Sequence, residues 1–361
     1  MKKTTLDDIA KLSGVSKTTV SRVLNSSSQV SDTIRQKVEA VLEDSGYQKK
    51  PQKMEFSLDF RKITIISDEE DVSTPSSFFS SIVDGLKHEA NKLELQIEWI
   101  LKNQIKTPSV LEERLNNSEA VIMLGMENYE LLHQIQKHNL PVVIMNGVDQ
   151  EMKVSSISPD YELGAYMATR ELYKHNHRNI KIMTAEIKHS IYDRTDGFRR
   201  ALLTSGLQFD YAKNVLDIVQ RADEVDPSGR LQASIRSRSA GMDFGARQIL
   251  PYLIEQGEFD DCTAVFCICD MMAISLIDEL SARGIRVPED ISVIGFDDIE
   301  IASMTNPPLT TISTNYRTLA ASTIHLLIQS ARDKHSLPIR SNLGVELIER
   351  GSICNLETSE Q

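Results

Sequence analysis

The chain has 361 residues, 40% of them hydrophobic, and a formal net charge of −12. That length exceeds one small domain and supports a sizeable core, so two or three compact units are expected. No run approaches the roughly 18 consecutive apolar residues of a membrane helix. The start, MKKTTLDDIAKLSG, lacks the apolar region of a secretion signal. A cytoplasmic protein with no membrane partner is expected.

The charge is unevenly spread. Residues 1–53 carry ten Lys/Arg against six Asp/Glu, and the remaining residues carry thirty against forty-six. A basic head on an acidic body suits oriented docking on DNA, because the polyanion attracts one end and repels the other.

In the head, Leu6, Ile9, Ala10 and Leu12 recur at helical spacing, and Gly14-Val15 ends that helix. Ser16 is a good N-cap for a second helix, SKTTVSRVLN. Val20, Val23 and Leu24 fall on one face of it; Lys17, Thr18, Ser21 and Arg22 fall on the other. Ser31 starts a third helix with an apolar stripe of Ile34, Val38, Val41 and Leu42, and Gly46 stops it. Three short helices with a tight turn between the first two form a helix-turn-helix. Lys17 and Arg22 can donate to guanine, and Thr18 can reach a base edge or a thymine methyl. Thr5, Ser16, Thr19, Ser21, Asn25 and Ser31 are short hydroxyls and an amide near helix starts, suited to phosphate contacts. On spacing alone, a plain three-helix bundle with a solvated polar face remains open.

The run TLDDIAKLSGVSKTTVSRVLN, continuing as VSDTIRQKVEAVLEDSGY, resembles the DNA-binding domain of the LacI/GalR family of repressors. The resemblance implies that Lys17, Thr18 and Arg22 read bases in double-stranded operator DNA.

Residues 51–62 form a polar linker, which Pro51 keeps from continuing a helix. The family carries an arginine and a leucine in this hinge, where the leucine wedges into the minor groove. Here Met54 and Phe56 stand at those places, so Phe56 is the expected wedge.

From residue 63 the pattern becomes strand–helix alternation. KITIIS, LQIEWIL, EAVIMLG, PVVIMN, NIKIMTA, TAVFCICD and ISVIGFDD are short apolar runs with helical stretches between them. Seven such units predict an α/β body with two doubly wound parallel sheets. Ligands in such folds bind beyond the C-terminal strand ends. The residues there are Ser67, Asp68, Asn146, Asp270 and Asp297, and Arg194 is expected in the loop before the helix DGFRRALLTSG. Carboxylates accept from sugar hydroxyls and arginine donates to them, although an Asp after a strand is also a common helix cap.

The segments DRTDGFRRAL, CDMMAISLIDELSARGIRVPEDISVIGFDD and PPLTTIS resemble the LacI/GalR sensor, a two-lobed body of periplasmic-binding-protein type. The resemblance implies effector contacts from Arg194, Asp270 and Asp297. It puts Asn146 where the family has an acid or amide, and Cys269 where it has a small polar residue or Asn. Phe79 and Tyr316 are placed to stack on a sugar. Crossings near Asp160, Tyr316 and Ser341 divide the expected domain 63–354 into lobe 1 (63–160 and 316–341) and lobe 2 (161–315 and 342–354). In the family, lobe 1 pairs with its twin.

The tail CNLETSEQ has no leucine heptads, so a homodimer is expected. The expected effector is a small neutral mono- or disaccharide, because Arg194 is the one strong cation that can be placed in the cleft; the compact loops and PPLTTIS look closest to family members that sense galactosides. A phosphosugar would want more than one cation, and a purine would want aromatic stacking and amide edges. Cys267 and Cys269 in a buried strand lack the partners of a zinc site, so no metal and no cofactor are expected. His175, His177, His189 and His325 are scattered and expected on the surface. No G-x-S-x-G, Walker A loop or G-x-G-x-x-G after a strand supports an enzyme.

Overall fold

The computed structural model describes residues 6–24, 32–45, 59–67, 78–333 and 336–356. The chain divides into a head, residues 1–57, and a body, residues 58–361.

The head contains α1 (Leu6–Ser13), α2 (Lys17–Leu24) and α3 (Asp32–Ser45). Gly14 takes a φ of +65°, which favours glycine, and lets the Val15 N–H reach back to the Ala10 carbonyl at 3.1 Å. Ser16 then opens α2: its hydroxyl accepts from the Thr19 N–H at 3.1 Å. Ile9, Val20 and Val38, one from each helix, are fully buried and share a core with Val23.

The first half of the body runs β1 (Lys62–Ser67), α4 (Phe78–Lys92), β2 (Gln96–Leu101), α5 (Pro108–Leu115), β3 (Ala120–Leu124), α6 (Tyr129–Gln136), β4 (Val142–Met145), β5 (Ser155–Pro159), α7 (Tyr161–Lys174), β6 (Ile180–Thr184) and α8 (His189–Thr204). The second half runs α9 (Tyr211–Asn214), β7 (Val215–Asp217), α10 (Ile218–Val225), α11 (Arg230–Arg236), α12 (Ala246–Glu255), β8 (Ala264–Cys267), α13 (Asp270–Ser281), β9 (Ser292–Ile294), β10 (Thr311–Ser313), α14 (Tyr316–Arg332), β11 (Arg340–Leu343) and β12 (Glu346–Ile348).

Two parallel sheets result, ordered β11-β5-β4-β3-β1-β2 and β7-β6-β8-β9, with β10 and β12 as a small antiparallel ribbon. The inner strands β1, β3, β4 and β8 are buried on both faces, which explains their unbroken apolar runs, whereas the edge strands β2 and β11 are partly exposed. In lobe 1, Ile63 and Ile65 face α4 and α14, and Ile66 turns to the opposite core with Val121 and Met123. Lobe 2 has its own core, where Ile182, Val265, Phe266 and Phe198 meet.

The chain crosses between the lobes three times. It leaves β5 at Asp160, whose carboxylate caps α7 by accepting from the Leu163 N–H at 3.0 Å. It returns at Asn315, which caps α14 through the Thr318 N–H at 3.0 Å. The third passage lies just past Leu343, because β11 stays paired with β5 as far as Leu343↔Pro159.

Arg194 is not in a loop: α8 begins at His189 and carries Arg194 inside it. The Asp-Gly at 196–197 had the look of a helix start. Gly197 is instead a packing glycine, where a Cβ would lie 2.1 Å from the Glu162 carbonyl oxygen of α7.

Candidate functional site

On the head, α2 buries Val20 and Val23 and leaves Lys17 and Thr18 exposed. Ser16 and Thr19 engage each other, with 2.8 Å between their hydroxyls, so capping is the contact they make in this structure. Ser21 and Arg22 lie on α2, but their side chains fall outside the described residues. Thr5, Asn25, Ser31 and Phe56 lie outside them altogether.

In the body, a cavity of about 90 Å³ opens beyond the strand ends between the lobes. A site needs roughly 10–15 Å³ of such volume per water, so this one has room for a small ligand. Four residues expected from the sequence line it: Phe79, Arg194, Cys269 and Asp297.

Arg194 is the best-fixed of these. Its guanidinium carbon lies 4.2 Å from the ring centres of both Tyr161 and Phe296, a cation–π arrangement. One terminal nitrogen donates to the Ser190 carbonyl at 3.0 Å, the other to Asp297 Oδ1 at 3.5 Å. Its Nε is buried with no partner.

Asp297 has a φ of +112°, a strained conformation of the kind found at functional sites. Burial pushes its carboxyl up to about 6, against the charge of Arg194 and a hydrogen bond from Tyr316. That bond, from the Tyr316 hydroxyl at 3.3 Å, joins α14 of lobe 1 to the lobe 2 loop. Tyr316 thus acts on the site through Asp297 and is not on the cavity wall.

Asn146 and Ser67 are likewise off the wall. The Asn146 side-chain oxygen accepts from the Tyr161 hydroxyl, again across the lobes. Its amide nitrogen and the Ser67 hydroxyl are buried without partners, at the ends of β4 and β1. Such groups each cost about 1–3 kcal/mol, so they mark this end of the sheet as unsatisfied.

Asp270 departs most from expectation. It is fully buried beneath the loop at 297–299, and both its oxygens are taken. Thr311 donates to one at 2.5 Å and the Ile299 N–H to the other at 2.9 Å. Burial raises its pKa well above the usual range. It fixes the loop that carries Asp297 and does not line the cavity.

Sequence reasoning missed Tyr161, Lys188, Ser190, Arg238, Met242 and Phe244, all on the wall. Lys188 and Ser190 come from the start of α8. The last three come from the loop at 237–245, where Arg238 and Phe244 have φ values of 63° and 58°. Its serines and glycines give it the look of a plain connection. The Arg238 guanidinium nonetheless reaches lobe 1, 5.7 Å from the Phe79 ring centre.

His177, expected on the surface, is fully buried. It lies 3.0 Å from the Thr263 hydroxyl and 3.1 Å from the Cys354 carbonyl, and burial lowers its pKa to about 4. Among the described residues no group of three or more His, Cys, Asp or Glu is arranged to hold a metal. None of their helices is long and apolar enough to cross a membrane.

These features define a two-lobed α/β binding body attached to a helix-turn-helix head. Residues 5–50 match bacterial regulatory proteins of the lacI family. Residues 62–226 match the periplasmic binding proteins and sugar binding domain of the LacI family, and residues 169–353 a periplasmic binding protein-like domain. The chain belongs to the LacI family of bacterial regulatory proteins. The family comprises transcription regulators, not enzymes.

The HTH-type transcriptional repressor PurR of Vibrio atlanticus (strain LGP32) is 29% identical over 359 residues, covering 98% of this chain and 99% of that protein. The PurR of Aliivibrio fischeri (strain MJ11) is 28% identical over 358 residues, covering 97% and 98%. Among solved structures, a transcriptional regulator CelR–cellobiose complex has a TM-score of 0.65 at 24% identity, covering 97% of this chain and 99% of its own. The lac repressor dimer bound to operator and the anti-inducer ONPF has a TM-score of 0.62 at 22% identity, covering 98% and 100%. These structures share the fold.

Proposed function

We propose that this chain is a cytoplasmic transcriptional repressor that binds operator DNA as a homodimer, and that a small carbohydrate in the Arg194–Asp297 cavity sets its operator affinity. The carrying observation is the Arg194–Asp297–Tyr316 connection. It ties a ligand-sized cavity to a contact between the lobes, so that occupying the cavity bears on lobe position. Lys17, Thr18 and Arg22 on α2 are assigned to base edges. Thr5, Ser16, Thr19, Ser21, Asn25 and Ser31 are assigned to phosphates and Phe56 to the minor groove. The two sites together give a coupling energy of about 1–3 kcal/mol, or 5- to 150-fold in affinity.

The test is selection of bound duplexes from a random library, followed by titration with a sugar panel. Retention of a two-fold symmetric sequence, with affinity changed at least fivefold by one sugar, is the expected result. Arg22→Ala should lose preference for the selected duplex. Retention of no duplex by the intact protein, or operator affinity indifferent to every small molecule tried, would overturn the reading.

A second reading replaces the sugar by a planar heterocycle. The cavity wall favours it, since Phe79, Phe244, Met242 and Met271 offer flat, polarizable surface. Similarity to the proteins named PurR makes a purine the heterocycle to test first.

A further inference from the structure

The loop beyond β9 carries two adjacent aspartates, and two arginines face them. Arg194 of α8 lies 3.5 Å from Asp297 Oδ1. Arg350, which follows β12, donates to Asp298 Oδ1 at 2.6 Å. Asp297 lines the cavity and Asp298 does not. The two residues share one chemistry and stand one position apart, so something outside them settles which carboxylate faces the cavity.

The loop does not hold its shape unaided. Asp297 and Asp298 have φ values of 112° and 55°, a region that such residues keep only where their surroundings impose it. The Gly295 N–H donates to the Thr310 carbonyl at 2.9 Å, and the Asp297 N–H to the Ile312 carbonyl at 2.8 Å. Asp270 holds the far end through the Ile299 N–H at 2.9 Å. These bonds restrain residues 295, 297 and 299. At 298 the restraint is the ion pair with Arg350.

Arg350 grips more than Asp298. Its other terminal nitrogen donates to the Leu309 carbonyl at 2.7 Å, and its backbone N–H donates to the Thr310 hydroxyl at 2.9 Å. A planar guanidinium reaches both acceptors at once. The Arg350 and Asp298 side chains are only 18% and 23% exposed, so a carboxylate left there without its cation is costly. Arg194, paired with the adjacent residue, is the cation for which it would compete.

The place of Arg350 in the chain adds a second consequence. β12 begins just past the third crossing, and β10 runs into the second. The two strands pair from Thr311↔Ile348 to Ser313↔Glu346. Arg350 therefore fastens the Asp297 loop to the ribbon from which two of the three lobe connections leave.

We propose that Arg350 is a positioning residue of the effector site: by holding Asp298 against the β10–β12 ribbon, it makes Asp297 the carboxylate that faces Arg194, Tyr316 and the cavity. This deepens the function proposed above and rests on its placing the effector in this cavity.

Tyr316 supplies the test, because its hydroxyl donates to Asp297 and a fluorine on its ring reports the state of that carboxyl. Full-length protein labelled with 3-fluorotyrosine is followed by fluorine NMR between about pH 4 and about pH 8, with the Tyr316 signal identified by Tyr316→Phe. Besides Arg194 and Tyr316, the titratable groups facing Asp297 among the described residues are Lys188, Tyr161, Cys269 and Asp270. Asp297→Asn is therefore the control that assigns the titration. In the unaltered protein the midpoint is expected at about 6. Arg350→Gln should displace it by about one pH unit or more, or abolish the titration, because Asp298 then competes for the place of Asp297. Arg350→Lys keeps a cation for Asp298, and Arg350→Gln combined with Asp298→Asn removes the competing charge; both should retain the unaltered midpoint. Thermal melting reports whether each variant keeps its fold. An unchanged midpoint in Arg350→Gln, even with a lowered melting temperature, makes the pair a structural ion pair only and overturns the inference. A displaced midpoint in Arg350→Lys or in the double variant overturns it as well, and both can be read should Arg350→Gln alone not fold. Neither effector nor DNA enters these measurements, so the sugar panel and the duplex selection judge the effector and repressor readings separately.

Discussion

Gly197→Ala sets two known effects against each other. Gly197 lies inside α8, where alanine is preferred over glycine by about 1 kcal/mol on intrinsic grounds. Helices α7 and α8 meet at this point. A methyl group here would sit 2.1 Å from the Glu162 carbonyl oxygen, 2.9 Å from its carbon and 3.0 Å from the Ala165 methyl. The obstacle is backbone, which cannot swing aside as a side chain can, so the helices must part by about an ångström to restore ordinary contact. Overpacking typically costs about 1–3 kcal/mol, and a rigid obstacle places this case at the upper end. After the propensity gain, a net loss of about 1–2 kcal/mol remains. For a domain of this size that is a fall of about 2–6 °C in melting temperature, measurable by calorimetry. Gly344 is the control: it has open space around it and no positive φ, so alanine there should change stability by less than about 0.5 kcal/mol. A melting temperature for Gly197→Ala equal to or above that of the unaltered protein would refute the close-packing argument. The same variant should weaken effector binding, because Arg194 lies one turn away on the shifted helix.

Three further outcomes are expected. Asp297 titrates near 6 in the folded chain, above the usual 3.9 or so of an unfolded aspartate. Its neutral form therefore stabilises the fold, fully below about pH 4, and this contribution is lost as pH rises towards 6. Asp297→Asn tolerates the same backbone and should flatten stability between those values; an unchanged profile in chemical denaturation would count against the assignment. Ser16→Ala removes the cap of α2 and should cost the head about 1 kcal/mol, read as faster hydrogen exchange at the Thr19 amide; unaltered exchange would deny the cap its role. Asp270→Ala strands two buried donors, from Thr311 and Ile299, and should cost about 2–5 kcal/mol. A normal denaturation midpoint with only effector response lost would restore Asp270 as a ligand contact.

The strands that the sequence makes legible are those whose apolar runs are long enough to be buried on both faces, such as KITIIS and AVIML. β5, with the sequence SSISP, escapes this pattern. Its serines are buried: Ser155 accepts from the Ile339 N–H and Ser158 donates to the Gly147 carbonyl, while the Ser156 hydroxyl has no partner, so polarity here does not mark exposure. β7 and β12 have three residues each, too few for any period to show. Asp297 is found by the rule that ligands lie beyond strand ends, and Cys269 by the resemblance to the family. Lys188 and Arg238 are hidden because a helix start and an irregular loop carry no spacing that says which way they face. Asp270 and Asp297 look equivalent as strand-end acids. What separates them is tertiary: Gly295 brings the loop so close over Asp270 that a Cβ there would lie 2.3 Å from its carboxylate, which shuts it off from the cavity.

The contacts between the lobes share one property. Tyr161 of α7 donates to Asn146 at the end of β4, and Tyr316 of α14 donates to Asp297 beyond β9. Arg238 covers Phe79, and Glu127 takes the His189 N–H. In the first three, at least one partner is a cavity-wall residue; in the fourth, His189 adjoins Lys188 on that wall. No lobe movement that alters these pairs can leave the wall unchanged, and no group that engages Asp297 or Arg238 can avoid competing with a contact between the lobes. Cavity geometry and lobe position are then one mechanical variable, which is the physical requirement for a ligand to shift a two-state equilibrium through differential contacts. Of the nine non-glycine residues with positive φ among the described residues of the body, four, Asn146, Arg238, Phe244 and Asp297, either line the cavity or bond to a residue that does.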